Sequence, residues 1–96
     1  MPVGVLQIEI VLPGAASLKD RRQVVRSLKD QLRRRFNVSI AELDKTHDLW
    51  QHAVIGIAAI GPDASYILSL LQQAGAAAES ILAGQDVRCG TGEIVA

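Results

Sequence analysis

Between Val3 and Phe36 the apolar residues change their spacing once, and Pro13-Gly14 stands at the change. Before it, Leu6, Ile8, Ile10 and Leu12 recur at every second position, the period of a strand with one buried face. After it, Val25, Leu28, Leu32 and Phe36 recur at every third or fourth, the period of a helix, with Leu18 and Val24 flanking the stripe. Ser17 precedes that helix and Asp20 follows three residues on, a capping box with Asp in place of Glu or Gln. Asn37 is the expected stop, since Asn tolerates left-handed backbone.

Val38 to Leu43 and Ala53 to Ile60 read as the next two strands, a hairpin joined by the polar run Asp44-Lys45-Thr46-His47-Asp48. Gly61-Pro62-Asp63 ends the third strand, and Asp63 is placed to cap a second helix. Its buried face is expected at Ile67, Leu71, Ala74 and Ala78, with Leu68, Leu70, Ile81 and Leu82 near it, although Gly75 inside costs about 1 kcal/mol relative to Ala. Val87, Cys89, Ile94 and Val95 suggest a last strand, which Gly90 and Gly92 make short or bulged. With right-handed crossovers this order predicts an α+β fold, a ferredoxin-like split β-α-β sandwich. It has a four-stranded antiparallel sheet with both helices on one face, as a single domain over residues 1–96. The other face stays open. Its residues, Val5, Gln7, Glu9 and Val11 on the first strand and His52, Val54, Ala58 and Ile60 on the third, are too apolar for full exposure. A homodimer through that face is therefore expected, with Val5, Gln7, Val54 and Ala58 in the contact.

The core must be aliphatic, because 49% of the residues are hydrophobic while Phe36, Trp50 and Tyr66 are the only aromatics. The same scarcity argues against base-stacking platforms. The lone Cys89 excludes an intrachain disulfide, fits a reducing cytoplasm and supplies no metal framework. No stretch approaches the roughly 20 apolar residues of a membrane span, and Met1-Pro2-Val3-Gly4 lacks the marks of a signal peptide. A cytoplasmic protein with no membrane partner is expected.

The formal net charge is zero, but eight of the ten basic residues fall between Lys19 and Arg35, opposed there only by Asp20 and Asp30. Lys19, Arg22, Arg26, Lys29 and Arg33 are spaced by three and four, so the helix gathers them on one stripe about 20 Å long. Such a line of cations can follow a phosphate backbone and gain from counterion release. The plainer alternative is a solvated face whose long stems cover the edge of the core. Arg21 and Arg35 fall within or beside the apolar arc, and Glu42 and Asp44 are candidate partners for Arg21.

Three stretches carry a family resemblance: Leu12-Pro13-Gly14-Ala15-Ala16-Ser17-Leu18-Lys19-Asp20-Arg21-Arg22, Leu32-Arg33-Arg34-Arg35-Phe36-Asn37-Val38-Ser39-Ile40-Ala41-Glu42 and Asp48-Leu49-Trp50-Gln51-His52-Ala53. In order and spacing they resemble the YlxP-like proteins, a family of small bacterial proteins of unknown function. The resemblance implies a ferredoxin-like fold and no established activity. Genes of that family often lie among translation and ribosome-maturation genes, which implies work on RNA or ribosomes by association only. Gly90-Thr91-Gly92 departs from the alternating C-terminal strand of the family.

The remaining chemistry-bearing residues read as architecture. Asp44, His47, Asp48 and His52 are metal-capable types, but their spacing matches no zinc pattern, and Asp48 suits a turn. Trp50 suits a packing or interface anchor. Cys89 has no neighbouring base and is expected to be a buried spectator. The helix start lacks any Gly-rich phosphate loop. No enzyme, cofactor or metal is expected. The expected function is binding of RNA or the ribosome by Lys19, Arg22, Arg26, Lys29 and Arg33, and the alternative is a homo-oligomeric scaffold using the open sheet.

Overall fold

The computed structural model describes residues 1–43 and 51–96. The chain runs β1 (Val3–Val11), α1 (Leu18–Arg35), β2 (Ser39–Glu42), β3 (His52–Ile60), α2 (Ala64–Ile81), β4 (Asp86–Cys89) and β5 (Glu93–Ile94). The strands lie in the order β2-β3-β1-β4, with β5 pairing β1 beyond the end of β4. Every pairing is antiparallel. This is the expected ferredoxin-like arrangement, with the fourth strand broken into two pieces.

β1 and β3 pair over their whole length, from Val3 opposite Ile60 to Val11 opposite His52. Both alternate strictly. Leu6, Ile8 and Ile10 of β1 and Ala53, Ile55, Ile57 and Ala59 of β3 are buried beneath the helices. Val25, Leu28 and Leu32 of α1 and Ile67, Leu71, Ala74 and Ala78 of α2 close the core from above, as their spacing requires. Both caps form: Ser17 Oγ accepts from the Asp20 amide at 3.2 Å, and an Asp63 carboxylate oxygen accepts from the Tyr66 amide at 2.8 Å. Asp20 in turn accepts from the Ala16 amide, one residue earlier than in the usual box.

α1 does not stop at a left-handed Asn37. Phe36 is the cap, in extended backbone, with its N–H donating to Leu32 O at 2.9 Å, and no described residue other than glycine has a positive φ. Entry into β2 three residues later, at Ser39, calls for extended backbone straight away. α2 runs unbroken through Gly75, where a Cβ would meet Leu6 at 3.3 Å and Cys89 Sγ at 3.5 Å, so the missing side chain lets the helix approach the sheet. The helix ends at its cap Leu82, whose N–H donates to Ala78 O, and Gly84, at φ 96°, carries the turn that follows, a turn that the sequence analysis did not assign.

The last strand is bulged. Ile8 faces Cys89 and Val5 faces Glu93, so Gly90, Thr91 and Gly92 stand opposite the two residues Leu6 and Gln7. Gly90 N still donates to Gln7 O at 2.9 Å.

Gly4 lies where α2 crosses β1 and β5 closes from the side: a Cβ there would come within 2.5 Å of Ile67 and 3.2 Å of the Glu93 carbonyl. Gly4→Ala is expected to lower stability by about 1–3 kcal/mol through overpacking. Gly14→Ala, with nothing within 4 Å, should be close to neutral. Urea denaturation of the two variants checks the contrast.

Candidate nucleic-acid interface and open sheet face

The rotation of α1 about its axis is set by four buried residues, Arg21, Val25, Leu28 and Leu32. Arg21 is only 3% exposed. Its Nε donates to the His52 carbonyl at 3.0 Å and its guanidinium reaches Glu42 Oε1 at 3.3 Å. A buried guanidinium with a carbonyl and a carboxylate as acceptors is the paired state that burial demands. Of the two expected partners Glu42 is the one observed, and Asp44 lies outside the described residues.

With Arg21 turned inward, Lys19, Arg22 and Arg26 are exposed, and Lys29 is half-buried. Among the described residues none of the four makes a hydrogen bond or ion pair. Lys19, Arg22 and Arg26 border a shallow depression of about 270 Å³ together with Gln23.

The C-terminal bases are engaged within the domain. Arg33 donates to Ile40 O at 3.1 Å and lies 4.0 Å from Asp30. The amide of Leu43 donates to Val54 O, so alternation turns the peptide groups of Ile40 away from β3, to the outer edge of the sheet. Arg33 therefore covers an edge carbonyl. Arg34 donates to Asp30 O at 3.3 Å. Arg35 is exposed, with its guanidinium 5.5 Å from the centre of the Phe36 ring, rather than set into the apolar arc.

The open face of the sheet carries Val5, Gln7, Glu9 and Val11 from β1 and His52, Val54, Gly56, Ala58 and Ile60 from β3. Leu43 folds over it at Gly56, where a Cβ would come within 2.8 Å of the leucine. Val5, Gln7 and Ala58 line an apolar depression of about 410 Å³ with Ala41, Leu43 and Gly56. Val54 lies outside that depression, opposite Glu9. One corner is polar: His52 Nε2 and Glu9 Oε1 are 2.9 Å apart, and Arg88 lies 3.5 Å from Asp86. The hydrogen bond from His52 holds the Glu9 carboxyl below its ordinary range, and Arg88 adds to the effect.

Cys89 is exposed rather than buried, because it sits on the bulged edge strand. Its Sγ nevertheless lies against α2, 3.7 Å from Gly75 O. Desolvation, with Glu79 adding to it, pushes the thiol up to about 11. Among the described residues no group of three or more His, Cys, Asp or Glu could hold a metal ion, and no helix is long and apolar enough to cross a membrane. Asp44, His47, Asp48 and Trp50 lie outside the described residues.

Comparison with known proteins gives a family, a relative and structures of like fold. The family described as "Protein of unknown function (DUF503)" matches residues 3–87. The Uncharacterized protein YlxP of Bacillus subtilis (strain 168) is 36% identical over 58 residues, which are 60% of this chain and 62% of that protein. This chain thus matches less than two thirds of that relative's length. A C-terminal segment of the alpha subunit of aIF2 from Pyrococcus abyssi superimposes with a TM-score of 0.57 at 15% identity, over 91% of this chain and 48% of that one. The de novo designed protein Foldit4 does so with a TM-score of 0.54 at 10% identity, over 99% and 98%. At such identities the likeness is one of fold alone.

The position of the Cys89 thiol has a direct chemical readout. Only the thiolate is nucleophilic. A thiol held at about 11 against a reference of 9.0 carries roughly a hundredfold less thiolate at pH 8. Alkylation by iodoacetamide is expected to be slowed by about that factor in the folded protein and to return to the rate of a free thiol in urea, as followed by mass spectrometry.

Proposed function

This chain belongs to the DUF503 family of proteins of unknown function, and from that premise we propose that it is a non-catalytic module that binds RNA, free or within the ribosome, through the outward face of α1. The observation that carries this reading is the state of Lys19, Arg22 and Arg26: exposed and unengaged among the described residues, within a segment of eight bases and two acids. Unpaired cations on a rigid helix exchange only water and counterions for phosphates, so binding breaks no internal contact. The three lie along about 10 Å of helix. Lys29 extends the line. Arg33 ends it, but with one N–H held by Ile40 O and Asp30 4.0 Å away it is less available and contributes less.

Contact with the backbone, without readout of bases, fits the rest of the molecule. The open sheet face carries no aromatic residue among those described, and Phe36 is half-buried beside Arg35. The one cysteine thiol, that of Cys89, is held protonated, which disfavours its use as a nucleophile.

A second reading, a protein-interaction scaffold built on the open sheet, is favoured by a separate observation. Val5, Leu43 and Ile60 are exposed on that face, and clustered apolar side chains of this kind mark contact surfaces.

The first reading is tested by binding of the purified protein to structured RNA and to ribosomal subunits across a salt series, beside a variant carrying K19E, R22E and R26E. Three phosphate contacts predict a log–log salt slope of about −2 to −3 and at least about a tenfold loss of affinity in the variant. R33E should lose clearly less than R22E. Affinity left unchanged by the triple reversal would contradict the reading.

A further inference from the structure

A second depression flanks the basic stripe. It measures about 320 Å³ and lies between α1 and the turn that follows α2. Gln23, Ser27, Gln31 and Gln85 line it together with Val24 and Leu82. Gln23, Ser27 and Gln31 stand four residues apart and form one row of α1 about 12 Å long. Gln23 also borders the depression of Lys19, Arg22 and Arg26, so the two hollows meet at its side chain. Among the described residues no charged side chain lines this groove.

The groove holds more hydrogen-bonding capacity than the protein uses. Gln31 Nε2 donates to Ser27 Oγ at 3.0 Å, which leaves the serine O–H to give and the Gln31 oxygen to accept. Among the described residues the exposed Gln23 amide has no partner. Gln85 Oε1 is buried and meets no donor among them. A buried acceptor without a donor is costly and calls for an explanation. The outer torsion of a glutamine side chain is soft, so rotation about it turns that oxygen toward a donor in the groove.

We propose that this groove receives ribose 2′-hydroxyls of double-helical RNA whose phosphates lie on Lys19, Arg22 and Arg26, so that the domain tells RNA from DNA. The proposal rests on the RNA reading of α1 and names its substrate class. Polar groups without charge suit a neutral hydroxyl that lies beside an anion, and not the anion itself. A 2′-hydroxyl both donates and accepts, as the amides and the serine require. It is one sugar ring from a phosphate, so the groups that hold the two must be neighbours, and Gln23 joins them.

Shape agrees. The minor groove of A-form RNA is wide and shallow and displays its 2′-hydroxyls. A helix about 10 Å across rests on such a surface. The minor groove of B-form DNA is about 6 Å wide, too narrow for the helix, and has no 2′-hydroxyl. Single strands are held by stacking on aromatic rings, and neither hollow is lined by an aromatic residue among those described.

Fluorescence anisotropy at one fixed salt concentration tests the proposal. The probes are duplexes of one sequence, about 16 base pairs long, made as RNA, as 2′-O-methyl RNA and as DNA. The wild type should bind RNA about tenfold more tightly than either of the others, as the loss of two or three hydrogen bonds requires. A variant carrying Q23A, S27A and Q31A should bind RNA about as weakly as DNA while its DNA affinity stays unchanged. Alanine favours the helix, so the variant keeps the fold. Equal affinity of the wild type for RNA and DNA would overturn the proposal and leave the phosphate stripe standing. RNA and 2′-O-methyl RNA bound alike would overturn the hydroxyl contact. A preference for RNA that survives the triple alanine variant would overturn the groove as its source. No binding of any duplex would overturn the proposal and remove the phosphate stripe as well.

Discussion

The antiparallel pairing of β1 with β3 is the constraint from which the remaining structure follows. Eighteen residues in one register, Val3 opposite Ile60 through Val11 opposite His52, commit every second side chain to one face. A slip of one residue would exchange the two faces, setting Ile8 and Ile55 in water and Glu9 and His52 in the core. Every other strand attaches to this pair, β2 to β3 and β4 and β5 to β1. Both helices lie on its buried side, and Gly4 and Gly75 sit where α2 comes too close for a side chain.

Arg21 converts that sheet into a distribution of charge. By reaching the His52 carbonyl and Glu42 it ties the first turns of α1 to the outer strand pair β2–β3, and so sets which residues of the helix face solvent. Eight bases that look alike in sequence thereby acquire different duties. One is buried, three near the C-terminal end of α1 are held by Ile40 O, Asp30 O and the Phe36 ring, Lys29 is half-buried, and Lys19, Arg22 and Arg26 are left for a partner. The proposed RNA contact and the open sheet face then lie on opposite sides of one thin domain.

Much of this was legible in the sequence because it depends on local periodicity. The alternation at Leu6, Ile8 and Ile10, the stripe at Val25, Leu28 and Leu32, and the caps Ser17 and Asp63 each follow from neighbours a few residues away. Arg21 was legible for the same reason, a cation inside an apolar stripe, and Glu42 followed as its partner. What stayed hidden was tertiary. The engagement of Arg33 depends on which way the peptide of Ile40 turns at the sheet edge, and helical spacing carries no information about that. Left-handed Asn37 gave way to extended Phe36 because β2 begins at once. The exposure of Cys89 follows from the bulge beside it. Gly84 was a missed local signal, a glycine just past the last apolar position of α2.

The central claim is that the two faces of the domain are chemically separate, with phosphate contact confined to the outside of α1. Its most direct test is an amide NMR titration of the ¹⁵N-labelled protein with a short structured RNA. The account predicts shifts concentrated at Lys19, Arg22, Gln23 and Arg26 and little change at Val5, Gln7, Val54 and Ala58. Shifts centred on those sheet residues, with α1 undisturbed, would contradict it.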